Sequence, residues 1–435
     1  MEEEYYFIQD TICNLFISYI HDTYFLFELS LSTKHASKYM FQIKHINLFS
    51  NNILMLRNIH SIESLCVFDD NKMKYKKSGS LIDCNNLTHL TRMTYASFTG
   101  YCRLLNIHNL ISSIQKLIAI NTNSWGFSHC NISNLKLLTY LKTNARNCII
   151  NLKQNILLEY VDCCLVSDTH SIYDLDSDNF NNINVRSSLQ HLKICTNSIQ
   201  SINRNNISFE YSRLTFLFVA IYASTKSIEL NKINSNIRVL QLFGIKYEQF
   251  NSLKNLRILK LTENDQINNI HVENLPYLHT LSLTNYIEAK ISNNPCLKII
   301  TCEIIDKLTL DSNVSNVTKL TLHKIIEIDG LENVKYMLQL HNLNIINSLC
   351  NTNGQCCSVC RDTSHFNYNA IETYETDHHL LKIYLMKNLT ELKILNSVET
   401  GLNLLKFTGL RKLSVSHRQK NIQVNKITDV TRKRI

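Results

Sequence analysis

Glycine and proline are nearly missing from this chain: 8 Gly and 2 Pro stand among 435 residues, about 2% where ordinary usage gives roughly 12%. That scarcity excludes a collagen period and Pro/Gly-rich linkers. It also fits the absence of any G-x-G-x-x-G or G-x-x-x-x-G-K-[ST] loop that could cradle a phosphate. Long apolar runs are lacking too. Leu214 to Ala223 is the nearest approach, well short of the roughly 18 residues a membrane span needs, so no membrane partner is expected. Met1-Glu2-Glu3-Glu4 is acidic where a secretory signal is basic. The 15 cysteines are scattered and odd in number, about 3% against the 8–10% of a disulfide scaffold. They read as small buried hydrophobes in a reducing compartment, cytoplasmic or nuclear. No G-x-S-x-G or H-E-x-x-H is present, so neither an enzyme nor a cofactor is expected.

What the chain does have is a period. Leu189-Gln-His-Leu192-Lys-Ile194-Cys-Thr-Asn197 has the form L-x-x-L-x-L-x-x-N, and Leu256-Arg-Ile-Leu259-Lys-Leu261-Thr-Glu-Asn264 and Ile43-Lys-His-Ile46-Asn-Leu48-Phe-Ser-Asn51 repeat it. Looser copies start at Ile62, Leu214, Ile237, Leu278, Leu297, Val317, Leu389 and Leu410, and degenerate ones near Leu87, Ile114, Leu138 and Leu158. From Leu189 to Val317 the starts are 19 to 25 residues apart. Within one copy the fourth and sixth residues alternate as a strand does, so Leu259 and Leu261 turn inward while Ile258, Lys260 and Thr262 face out. The Asn at the ninth position can satisfy backbone groups where the chain turns, the work Gly and Pro do elsewhere.

The period and motif resemble those of leucine-rich repeat proteins. The resemblance covers most of residues 43–343 and 380–418 and implies an α/β fold. That fold is a curved leucine-rich repeat solenoid with a parallel sheet on its concave face and irregular, 3-10 or helical segments on the convex side. The leucines are core. Information about partners lies in the outward row: His191, Lys193, Phe216, Phe218, Val239, Gln241, Ile258, Lys260 and Lys319. Phe216, Phe218, Val239 and Ile258 are expected to form an exposed apolar patch suited to a protein partner.

Residues 1–40 follow another rule. Ile8, Ile12, Phe16 and Ile20 recur every four residues, one stripe of a helix. Asp22 and Thr23 then offer caps for a second helix carrying Phe25, Leu26 and Leu29. The unit can serve as a solenoid cap. Ile8 to Ile12, Phe16-Ile17-Ser18-Tyr19-Ile20 and Phe25-Leu26 also resemble an F-box, although Gln9 stands at that family's Pro and His35 at its Trp. The resemblance implies that Ile12, Phe16, Ile20, Phe25 and Leu26 dock a Skp1-like adaptor, making the chain the substrate-recognition subunit of a cullin-type ubiquitin ligase. A regulatory subunit of a phosphatase or small GTPase, with the N-terminal helices only a cap, is the alternative.

Between residues 344 and 379 the rhythm stops. Cys357, Cys360 and His365 form a tight group there, a weak zinc candidate with no second ligand pair beside it, so no metal is expected. The terminal repeats occupy 380–418, and residues 419–435 read as a solvated basic tail ending in Thr431-Arg-Lys-Arg434. With a net charge of +9 spread along the chain, nucleic acid is not an expected partner despite Lys193, Lys260, Lys319 and the tail. The expected function is a non-catalytic scaffold that binds a protein partner.

Overall fold

The computed structural model describes residues 45–49, 62–69, 81–100, 103–106, 109–110, 112–121, 130–132, 134–143, 148–149, 155–164, 188–196, 207–209, 213–221, 228–247, 250–263, 269–311, 316–329, 342–346, 389–395, 402–404, 409–416, 422–424 and 429–433. The chain divides into two compact units, Met1–Ala223 and Ser224–Ile435. Each contains a parallel main sheet of in-register strands, one strand per repeat.

In the first unit His45–Phe49, Ser64–Asp69, Tyr95–Gly100, Lys116–Asn121, Tyr140–Thr143, Tyr160–Cys164, His191–Thr196 and Phe216–Ile221 pair in that order. In the second, Val239–Phe243, Ile258–Thr262, Thr280–Ser292, Ile299–Leu310, Lys319–Asp329, Asn342–Ile346, Glu391–Leu395, Lys412–Ser416 and Asp429–Lys433 do the same. The first, fourth and sixth positions of the repeat are the core. Leu256, Leu259 and Leu261 are buried, as are Leu278, Leu281 and Leu283, and Leu189, Leu192 and Ile194. One degenerate repeat starts later than expected: Met93, Ala96 and Phe98 fill its core positions, not a frame beginning at Leu87.

A second signal precedes the strands of seven described repeats. The residue three before the repeat start opens a tight turn, in which the amide N–H of the start donates to that residue's carbonyl. Met93 to Leu90, Leu138 to Leu135, Leu158 to Asn155, Ile237 to Asn234, Leu256 to Leu253, Leu278 to Leu275 and Leu297 to Asn294 all follow this rule. Two of these openers are buried asparagines. Asn155 donates through Nδ2 to the carbonyls of Ile132 (3.0 Å) and Leu135 (2.8 Å). Asn294 donates to the Val272 carbonyl (2.9 Å) and accepts from the Leu275 N–H (3.1 Å). The buried amide thus satisfies backbone groups of the preceding repeat that no water can reach. The hydroxyls of Thr94, Thr139, Thr215 and Thr318, all at the second position, donate in the same way to the second-position carbonyl of the repeat before.

Several expectations need correction. The described residues contain no α-helix, only 3-10 segments at Cys84–Leu87 and Phe250–Ser252, so the α/β class gives way to a β-solenoid among them. Where helices were allowed for on the far side of the repeat, short parallel strands pair instead: Leu81–Asp83 with Arg103–Leu105, Cys130–Asn131 with Cys148–Ile149, Ile228–Ile233 with Ile245–Lys246, and Leu402–Leu404 with Ile422–Val424. The N-terminal helical unit, with Ile12, Phe16, Ile20, Phe25 and Leu26, lies outside the described residues, as do Cys357, Cys360 and His365.

In three described repeats the left-handed residue is the eighth, not the ninth. Gly244, Asn285 and Ile304 occupy the eighth position with φ of 66°, 70° and 53°, and this left-handed residue shifts the alternation by one. The ninth residues Ile245, Tyr286 and Ile305 are therefore buried, and Ile325 is buried at the same position. Asn51, Asn197 and Asn264 themselves are not described. The basic tail is partly structure: Asp429–Lys433 pairs with Lys412–Ser416. On either side of the 344–379 interruption, Asn342–Ile346 and Glu391–Leu395 are direct sheet neighbours. Cys84, Cys163, Cys195 and Cys302 are buried, as expected, while Cys66 is half-buried and Cys296 exposed. No described helix is long and apolar enough to cross a membrane.

Candidate binding face

In-register parallel strands place equivalent side chains about 4.8 Å apart, close to the thickness of a stacked ring. The outward third position of the first unit uses that spacing. Its residues in order are His45, Ser64, Tyr95, Lys116, Tyr140, Tyr160, His191 and Phe216. Tyr140 stacks on Tyr160 at 4.2 Å and 6°, Tyr160 on His191 at 4.1 Å and 11°, and His191 on Phe216 at 3.9 Å and 9°. The Lys116 ammonium stands between two rings, 5.2 Å from Tyr95 and 4.6 Å from Tyr140. Both are cation–π contacts.

The fifth position runs beside it. Ile118, Lys142, Asp162, Lys193 and Phe218 follow one another in register. Asp162 is 6% exposed, and the ammoniums of Lys142 and Lys193 approach its two oxygens from the strands on either side, at 3.9 and 3.4 Å. A carboxylate that far from water needs such partners. Lys193 also lies 5.7 Å from the Phe218 ring.

Burial sets the titration of this face. It pushes the Tyr160 phenol up to about 12, with Tyr140 and Asp162 adding to the effect. Burial likewise holds His191 below its usual range, against the pull of Asp162 and with the help of Lys193. His191 Nε2 is buried without a hydrogen-bond partner among the described residues, which agrees with a neutral ring in a stack.

All nine outward residues singled out in the sequence lie on the outer side of a main sheet. His191, Lys193, Phe216 and Phe218 join the ladder just described. Val239 and Gln241 pair in register with Ile258 and Lys260 in the second unit. Lys260 and Lys319 are exposed and the other seven half-buried. The expected apolar patch is thus modified: Phe216 is capped by His191 and Phe218 by Lys193. Sequence reasoning missed Tyr95, Lys116, Tyr140, Lys142, Tyr160 and Asp162. Counting two and four residues on from the degenerate starts at Ile114, Leu138 and Leu158 leads to five of them, while Tyr95 required the start at Met93. The second unit's outer columns are different in kind, with Thr280, Ile299 and Lys319 in one and Ser282, Thr301 and Thr321 in the other. There His323 Nδ1 lies 2.8 Å from the Glu303 carboxylate, and the Lys412 ammonium lies 3.9 Å from that of Glu391. No group of three or more metal-ligating side chains occurs among the described residues.

No protein-family model matches the chain, and no curated protein matches it. Among solved structures it is similar to a leucine-rich repeat protein of Leptospira interrogans, at 14% identity over 82% of this chain and 86% of that one, with a TM-score of 0.43. It is similar also to a plant peptide hormone receptor, RGFR1, in complex with RGF2, at 14% identity over 90% and 69% of the two chains and a TM-score of 0.48. A third is the functional domain of InlJ from Listeria monocytogenes, at 14% identity over 66% and 69%, with a TM-score of 0.41.

Proposed function

We propose that the chain is a non-catalytic scaffold that binds a protein partner on the outer face of its first-unit main sheet. One observation carries this reading: the ordered column from Lys116 through Tyr140, Tyr160 and His191 to Phe216 spends large aromatic side chains on the outside of the sheet, where the fold needs none. Rings with few rotatable bonds, fixed before contact, bind at low entropic cost, and Tyr is enriched where binding energy concentrates. Capture of partners from the source cell tests it. Tyr140→Ala with Tyr160→Ala should release a partner that Thr280→Ala with Ser282→Ala retains. Equal retention by both double variants overturns the assignment of the face.

The finer reading, a substrate-recognition subunit of a cullin-type ubiquitin ligase, rests on the Phe16-Ile17-Ser18-Tyr19-Ile20 match and the residues around it. Phe16→Asp with Ile20→Asp should abolish binding of a purified Skp1-like adaptor, and unchanged or absent adaptor binding rejects it. The phosphatase or GTPase alternative rests on no particular residue.

A further inference from the structure

From the charges on this face we infer the chemistry of the partner: an acidic, extended polypeptide that runs across the strands over Lys116, Lys142 and Lys193. The inference rests on the scaffold reading above and adds the nature of what is bound. Among the described residues the two columns hold three ammoniums and one carboxylate, and that carboxylate is at the bottom. Asp162 is buried while the Lys142 and Lys193 side chains above it keep 40% and 33% of their surface. An approaching group therefore meets the cations before the anion.

Each lysine is also held in place. Lys142 leans on Asp162, Lys193 on Asp162 and the Phe218 ring, and Lys116 between Tyr95 and Tyr140. Long flexible side chains fixed before binding lose little entropy when an anion arrives. The rings favour the same ligand. From Tyr140 to Phe216 they turn their faces to one another, so what they offer outward is their edges, the positive rim of the ring quadrupole. Nucleic-acid platforms work through free ring faces on which bases stack, and those are taken here. Carboxylates on a polypeptide suit edges and ammoniums together.

The spacing narrows the conformation. Lys142 and Lys193 stand two strands apart in one column, about 9–10 Å at ordinary sheet spacing. A polyproline-II segment returns to the same face every third residue, about 9 Å along its axis. A β-strand puts side chains on one face about 7 or 13 Å apart and misses that interval.

The test uses the full chain and fluorescein-labelled peptides of five Glu-Pro-Pro triplets, read by anisotropy at low and physiological salt. The Glu peptide should bind. Lys142→Gln and Lys193→Gln should each weaken it about tenfold, and raised salt should weaken it further, while a Lys260→Gln variant in the second unit binds as wild type. Gln-Pro-Pro or Lys-Pro-Pro peptides bound as tightly as the Glu peptide overturn the inference. So does a fifteen-residue oligothymidine that binds more tightly and shows the same lysine dependence, which would mark a nucleic-acid site. Unaltered melting of each variant shows that a loss is one of contact. Should the Glu peptide fail to bind while Tyr140→Ala with Tyr160→Ala still releases the cellular partner, the acidic-partner inference falls and the scaffold reading stands. Should that double variant release nothing, the scaffold reading itself falls.

Discussion

The outer faces of the two units answer one backbone register in opposite ways. Both sheets repeat the same inward pattern, Leu189, Leu192 and Ile194 in one and Leu278, Leu281 and Leu283 in the other, all buried. Outward, the first unit stacks Tyr140, Tyr160, His191 and Phe216 and pins its lysines, whereas the second presents Thr280, Ser282, Thr301 and Thr321. Alternation frees the third and fifth positions from the core, so a repeat can exchange its surface without disturbing its fold. The units differ in their backbones too. The second extends Thr280–Ser292, Ile299–Leu310 and Lys319–Asp329 well beyond one ladder width, the first two with left-handed residues at Asn285 and Ile304.

If the inward pattern is shared, truncating it should cost the same in either unit. Leu141→Ala and Leu281→Ala both remove a fully buried side chain at the fourth position, and each should cost about 3 kcal/mol. Urea unfolding followed by hydrogen exchange in each unit checks this, and a cost below about 1 kcal/mol in either would break the equivalence. The turn openers come next. Asn294→Ala leaves the Val272 carbonyl and the Leu275 N–H without their buried partner, and Asn155→Ala strands the carbonyls of Ile132 and Leu135. Losses of about 2 kcal/mol are expected for both, read from the same unfolding curves.

How far the sequence spoke for itself depended on how strongly each position was constrained. The fourth and sixth positions admit only side chains that fill a dry core, so Leu259 with Leu261 and Leu192 with Ile194 announced the register. The turn opener three residues before the start admits either Leu275 or Asn294, because a side chain can fill the space or bond the backbone, and no single residue type marks it. Ile304 hid the left-handed eighth position, since nothing about an isoleucine suggests φ of 53°. Asp429–Lys433 looked like tail because only Val430 among its residues is apolar, yet backbone pairing with Lys412–Ser416 is enough to make it a strand. The binding face was legible at His191, Lys193, Phe216 and Phe218. Tyr140, Tyr160 and Asp162 sat in repeats whose sixth positions, Thr143 and Cys163, are not leucines, which weakened the frame needed to find them.

The left-handed position separates the units again and offers a smaller effect. A β-branched residue in that region is strained by roughly 1–2 kcal/mol, and the equivalent residues are Gly244 and Asn285. Asn285 also donates through Nδ2 to the Glu263 carbonyl one repeat earlier at 3.0 Å. Ile304→Asn should therefore stabilise the second unit by about 1 kcal/mol, a gain that calorimetry would register as a higher melting temperature. An unchanged or lower value would mean that the half-buried isoleucine contributes more by packing than its backbone costs.

The smallest effect should belong to the first unit alone and depend on pH. His191 lies between Tyr160 and Phe216, with Asp162 and Lys193 in the neighbouring column, and burial lowers its proton affinity in the folded chain. The unfolded chain, with an ordinary histidine near 6.5, then binds the proton more readily than the folded one. The stabilisation from the neutral ring is complete above about pH 6.5 and is lost as pH falls through the lower folded value. His191→Phe keeps a ring in the stack and removes the proton site. Between pH 7 and pH 5, above the ordinary range of carboxylates, the wild-type chain should lose stability relative to this variant. The loss should be smaller than the gain from Ile304→Asn, because the ring is only partly shielded from solvent. Hydrogen exchange along His191–Thr196 would locate it, and parallel pH profiles for the two proteins would mean that the stack holds the charged imidazolium as well as the neutral ring.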